Sequence, residues 1–176
     1  MMKKPLARAL VLALCLLPSM ARADGLSYDD PGVHFSAPAD WTAVPVPQGQ
    51  EGAPVAAFRK TFERYDTRVI TLKIEKYDGS LEGLENSHES EVRQLSDSVF
   101  VDKRVKITLS NGMPAYQLRY TVGQDAGGTV RTMEYVVYDG KRSIIAGYSG
   151  RGGMFDDKDA LDALSTLTVV LYPQGR

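Results

Sequence analysis

Along most of this chain apolar and polar side chains alternate one by one. In Val69–Tyr77 (VITLKIEKY), Ile70, Leu72 and Ile74 fall on one face and Thr71, Lys73 and Glu75 on the other, the period of a half-buried strand. Ala56, Phe58 and Phe62 predict a strand before it, beyond a Pro/Gly/Gln loop from Pro45 to Pro54. Val105, Ile107 and Leu109 alternate with Lys106 and Thr108, and Asn111-Gly112 follows, a dipeptide that tolerates positive φ and so marks a hairpin. Tyr116, Leu118, Tyr120 and Val122 then alternate with Gln117, Arg119 and Thr121. Gln124–Gly128 turns the chain into Thr129–Tyr138, and Asp139-Gly140 turns it into Arg142–Ser149. Four consecutive strands on short turns predict an antiparallel meander.

Two segments change the period. Leu81, Leu84, His88, Val92 and Leu95 recur at spacings of three and four, which predicts a helix over 81–97 with Ser80 as its N-cap. Ala160, Leu161 and Leu164 predict a second helix within Asp156–Leu167, capped by Asp156 or Asp157, with Phe155 placed for a hydrophobic staple. A last strand, Leu167–Tyr172, follows. The order predicts an α+β fold: an antiparallel sheet of about seven to eight strands with two packed helices.

The first strand opens as GVHFSAPADW, residues 32–41. Gly32, Val33, Phe35, Pro38 and Trp41 form a Gly-aliphatic-x-Phe-x-x-Pro-x-x-Trp pattern, followed by hairpin, long helix, Asn-Gly turn with the small Ala115 after it, meander and short helix. This resembles the PsbP-like and DcrB-like domains, which share a fold with the Ran-binding factor Mog, over about residues 28–172. The resemblance implies a Mog/PsbP-like α/β/α sandwich, and a role as a binding or assembly accessory of envelope or membrane-associated protein complexes. In physical terms Pro38 cannot donate to a ladder and should end the first strand at an edge, and Trp41 should fold back into the core.

The ends set the compartment. Lys3, Lys4 and Arg8 precede an apolar run over 9–17, Pro18-Ser19 breaks it, and Ala21-Arg22-Ala23 supplies the small residues that a signal peptidase reads. A secretory signal over 1–23 is expected, with a single domain over 24–176 and a periplasmic destination, or release from the cell. The apolar run is short of the ~20 residues of a spanning helix. Leu14 before Cys15 is too bulky for a lipobox. Of the 176 residues, cleavage leaves 153, with 17 basic against 22 acidic side chains and a net charge near −5. That balance argues against nucleic acid and anionic membrane surfaces. The single cysteine leaves with the signal, so no disulfide, thiol nucleophile or thiolate metal ligand is expected in the mature chain.

Candidate chemistry is sparse. Glu85-x-x-His88-x-x-Glu91 puts three ligating side chains near one helical face, but no second ligand set faces it and His88 lies on the apolar stripe between glutamates expected to be solvated. Gly147-Tyr148-Ser149-Gly150-Arg151-Gly152-Gly153 precedes a helix, yet its spacing matches no phosphate-binding loop, and Asp156, Asp157 and Asp159 already occupy the helix start. A flexible connection is expected there. Gly-Tyr-Ser-Gly-Arg lacks the final glycine of a nucleophile elbow, and neither His34 nor His88 is placed as its base. No catalytic, cofactor or metal site is therefore expected. Five of the nine tyrosines (Tyr116, Tyr120, Tyr135, Tyr138 and Tyr148) crowd the meander and, with Arg151, are the candidate partner-binding residues. The expected function is a non-catalytic binding or assembly accessory; a carrier of a small apolar ligand or lipid, held between sheet and helix 81–97, is the alternative. A large apolar cavity would favour the carrier, and a filled core with exposed apolar side chains the accessory.

Overall fold

The computed structural model describes residues 26–47, 50, 52–62, 66–124 and 128–172; the expected signal over 1–23 lies outside them. Strands β1 (Ser27–Asp30), β2 (Val33–Ser36), β3 (Thr42–Val44), β4 (Ala56–Thr61) and β5 (Thr67–Lys76) precede helix α1 (Leu81–Arg93). Strands β6 (Val99–Thr108), β7 (Pro114–Gly123), β8 (Thr129–Tyr138) and β9 (Arg142–Arg151) follow, then a single 3-10 turn, helix α2 (Asp157–Leu164) and β10 (Thr168–Val169). All pairings are antiparallel. A seven-stranded sheet runs in the order β3-β4-β5-β9-β8-β7-β6, and a three-stranded sheet in the order β1-β2-β10.

The layers follow from which side chains alternate. On one face of the large sheet Phe58, Ile70, Leu72, Met133, Ile144, Ala146 and Tyr148 pack against Phe35, Val169, Leu164 and Leu167 of the small sheet and α2. On the other face Val136 and Ile145 meet Leu84 of α1, and Leu118 and Tyr120 meet Val92. The expected α+β sandwich is present. The second, smaller sheet is an addition to it.

Several expectations shift at element ends. β2 is the central strand of the small sheet, so Pro38 does not end an edge strand; it lies beyond the ladder in a turn where its carbonyl accepts from the Trp41 amide at 3.0 Å. Gly32 reaches φ +85° in the turn between β1 and β2, a conformation that favours glycine. The glycine-rich run is not a loose connection: Gly147–Arg151 continue β9, and only Gly152–Met154 form the turn. The helix expected over 81–97 stops at Arg93 with Gln94 as C-cap, leaving Leu95 53% exposed. In α2 the Asp156 cap holds, accepting from the amides of Lys158 and Asp159, but the buried stripe is Ala160, Ala163 and Leu164, and Leu161 faces out. The strand expected over Leu167–Tyr172 narrows to two residues paired with His34 and Val33 of β2.

Trp41 is buried as expected, its ring 5.7 Å from that of Tyr148. Arg142 ties the layers together at one end, donating to Asp139 in its own turn, to Asp30 and to the Pro31 carbonyl. Truncating Trp41→Ala should cost roughly 3–5 kcal/mol, because the transfer and cavity terms add at a site that cannot collapse. Urea unfolding followed by far-UV circular dichroism checks this; a loss under ~1 kcal/mol would contradict the core position.

Candidate functional site

A polar cluster lies under α1. Ser80 accepts from the Gly83 amide at 3.1 Å and starts the helix, which places Glu85, His88 and Val92 on its inner side. On β8 the row Glu134, Val136 and Tyr138 faces the helix, so a carboxylate stands where alternation asks for an apolar side chain. Gly147 on β9 lies directly across from Glu134. A Cβ at Gly147 would come within 3.3 Å of Glu134 Cγ and 3.4 Å of Thr71 Oγ1, so the glycine leaves the space in which the carboxylate lies over the sheet.

Glu134 uses both oxygens. His88 Nε2 lies 2.7 Å from Oε2, and the Tyr120 hydroxyl donates to Oε1 at 2.9 Å. One turn away, Glu85 is 1% exposed and is met by the Arg104 guanidinium of β6, which also reaches Glu89 at 3.2 Å and Asn86 at 2.8 Å. Glu85 is thus not the solvated carboxylate expected from its neighbours. Glu91 is, and its carboxylate stands 3.9 Å from His88 Nδ1. Glu85, His88 and Glu91 point to three different surroundings, and no group of three potential metal ligands occurs among the described residues.

Burial opposes charging of His88 and Lys73 adds to that, but the hydrogen bond and charge of Glu134, helped by Glu91, outweigh both and raise its pKa above 6.5. Tyr120 is pushed well above the ordinary tyrosine value by burial and by the Glu134 carboxylate, so it stays a protonated donor. The cluster does one thing well: it fastens α1 to the sheet through charge-assisted bonds.

The other histidine is remote from it. His34 lies on β2, in the other layer, bonded at the surface to Asp29 and Ser36. Across the large sheet, Arg68 donates to the Tyr148 hydroxyl at 3.0 Å and to Asp159 at 2.5 Å, with its guanidinium 4.0 Å from the Phe62 ring.

The five meander tyrosines do not share a face. Tyr116, Tyr120 and Tyr138 turn toward α1, whereas Tyr135 and Tyr148 turn toward the small sheet. Tyr120, Tyr135 and Tyr148 are buried; Tyr116 and Tyr138 are half-buried, and the ring of Tyr138 stands edge-on to Tyr77 at 5.7 Å. Arg151 is exposed at the end of β9. Among the motif residues, Phe35 and Trp41 are core, and Gly32 and Pro38 shape turns. A cavity of about 710 Å³ opens elsewhere, between Pro47, Gln50 and Ala53–Val55, Tyr28 and the end of β5 at Ile74–Lys76. Between the sheet and α1, Leu84 packs with Val136 and Ile145, and Val92 with Leu118 and Tyr120.

In solved structures the likeness is clear. Cyanobacterial PsbP (CyanoP) from Synechocystis superposes with a TM-score of 0.58 at 19% identity, over 87% of this chain and 98% of that one. The chain folds as a PsbP-like domain. A Pseudomonas aeruginosa protein of unknown function aligns with a TM-score of 0.50 at 12% identity, over 85% of this PsbP-like chain and 88% of its own. No family model and no curated protein matches the sequence. At these identities the likeness is one of fold.

The His88–Glu134 pair sets a pH dependence for the PsbP-like domain. A histidine whose folded pKa lies above 6.5 stabilises the fold below that value, and the contribution fades as pH rises through the folded pKa. Glu134→Gln should cost about 1–3 kcal/mol at acidic pH, because two buried partners lose a charged acceptor. The difference from the unaltered protein should shrink as the pH rises past that range. Urea unfolding at a series of pH values checks this; a difference that grows with pH would contradict it.

Proposed function

We propose that this chain is an exported, non-catalytic binding or assembly accessory of the cell envelope, built on a PsbP-like domain. One observation carries the reading. Both faces of the large sheet are packed, with Ile70, Leu72, Ala115, Val136, Val137 and Ile144 at 0% exposure, while Phe100, Leu171 and Val170 stand more than half exposed. Packed sheet faces with apolar side chains outside favour contact with a macromolecule over enclosure of a ligand. The polar side chains under α1 are committed to one another, which favours a structural over a reactive use of His88 and Glu134. No helix among the described residues is long and apolar enough to cross a membrane.

Export rests on residues 1–23. Cell fractionation should recover the protein in the periplasm with Asp24 at its N-terminus by mass spectrometry; an intact N-terminus in the cytoplasm would remove the envelope role. The carrier reading asks for an apolar pocket between the sheet and helix 81–97, whereas the cavity beside Tyr28 lies away from that helix and has Gln50, Glu75 and Lys76 in its lining. Crosslinking in the native envelope followed by purification separates the two. A single stoichiometric protein partner supports the accessory; co-purified lipid or small ligand without protein supports the carrier.

A further inference from the structure

The large sheet ends unequally. One edge is β3, three residues long; the other is β6, ten residues long and paired only with β7 among the described residues. The Leu109 amide donates to the Met113 carbonyl at 2.8 Å, so that pair faces inward. Alternation along an antiparallel ladder then turns the backbone groups of Arg104, Lys106 and Thr108 outward. Their side chains lie in the row facing α1, opposite Leu118, Tyr116 and Pro114. The other row of β6 carries Phe100 at 68% and Val105 at 37% exposure. Lys103 and Lys106 make no ion pair among the described residues, whereas Asp102 is neutralised by Arg119 and Arg131.

We propose that the outer edge of β6 accepts, as an added strand, an extended acidic segment of a partner protein. This deepens the protein-binding reading and rests on it. Strand addition takes its affinity from main-chain bonds and its specificity from alternate side chains. A segment alternating acidic with apolar residues fits both rows: its carboxylates lie along Lys106, Arg104 being already held by Glu85 and Glu89, and its apolar side chains continue Phe100 and Val105. A second copy of this chain does not fit. Antiparallel pairing of β6 with itself about Val105 sets Arg104 directly opposite Lys106, and like charges directly opposite are destabilising. Lysines and the bulge between Val101 and Lys103 deter self-pairing. The same lysines select an acidic strand.

The test uses the purified protein and a fluorescent ten-residue peptide alternating valine with glutamate, matched in length to β6, beside its valine–lysine counterpart. The glutamate peptide should bind, more weakly as salt rises, and should slow hydrogen exchange at the amides of Arg104 and Lys106; the lysine peptide should not bind. Lys106→Pro removes an outward amide that β7 does not use, so it should weaken binding about ten-fold beyond Lys106→Ala. Should that variant fail to fold, Thr108→Pro serves the same purpose, and Lys103→Glu with Lys106→Glu should abolish binding without touching the backbone. Absence of binding, binding without protection of β6, equal affinities for the proline and alanine variants, or a dimer with these amides already protected would each overturn the proposal. If the double glutamate variant still captures a stoichiometric envelope protein, the β6 edge falls while the binding role stands.

Discussion

Val136 and Val137 are adjacent in the chain, point to opposite faces of β8, and are both fully buried. A strand of this kind requires a dry cover on each side of the sheet, and the rest of the structure is arranged to supply two. α1 covers the Val136 face with few apolar residues, Leu84 and Val92 foremost. The small sheet and α2 cover the Val137 face with the larger share, including Phe35, Leu164, Leu167 and Val169. Hydrophobic burial is proportional to area, so the second cover carries more of the stability. The first is also positioned by the bonds of Glu134 and Arg104.

That division explains the polar cluster under α1. A helix with two principal apolar anchors could slide or rotate on a flat sheet, since packing alone specifies its register weakly. The bonds from His88 to Glu134 and from Arg104 to Glu85 fix rotation and position at two points along its length. Buried ion pairs add little net stability against an apolar alternative, because desolvation offsets attraction, and their attested use is to specify one arrangement. Gly147 belongs to this device. A side chain there would press on Glu134 Cγ at 3.3 Å, so the glycine gives Glu134 room to lie over the sheet and reach both Tyr120 and His88.

β5 was legible in the sequence because Ile70 and Leu72 are buried while Thr71, Lys73 and Glu75 between and beyond them are partly exposed. β7 alternates in sequence too, although Gln117 is buried on one face and Leu118 and Tyr120 on the other. β8 and β9 were legible from their turns and not from their period, since both of their faces are covered. The start of β6 was hidden: the bulge at Asp102 puts Asp102 and Lys103 in succession opposite Arg119 and breaks the alternation. β10 could not be bounded, because its two paired residues are set by a partner strand more than a hundred residues earlier. The opening Gly-x-x-Phe-x-x-Pro-x-x-Trp pattern recorded how the domain begins, and the PsbP-like fold agrees with it. The site was less legible. Glu134 interrupts an apolar row and faces a glycine in the next strand, a signal that only the β8–β9 register reveals. Glu85 reads as a surface residue until Arg104 is brought beside it. The tyrosine cluster reads as one surface until the pleat divides it.

The same accounting bears on where this domain can meet another molecule. Covering both faces of a sheet leaves its edges as the backbone's remaining open bonds, and those bonds are costly to leave unpaired out of water. At the β3 end the difficulty is kept small by brevity, with three residues in the strand. At the β6 end length is retained, and aggregation is countered by charge and a bulge instead. A long edge kept open against copies of itself remains open to a segment of opposite charge. On the proposed strand addition, strand length, lysine placement and the exposed Phe100 are parts of a single arrangement, in which the packed faces would supply rigidity and the β6 edge contact.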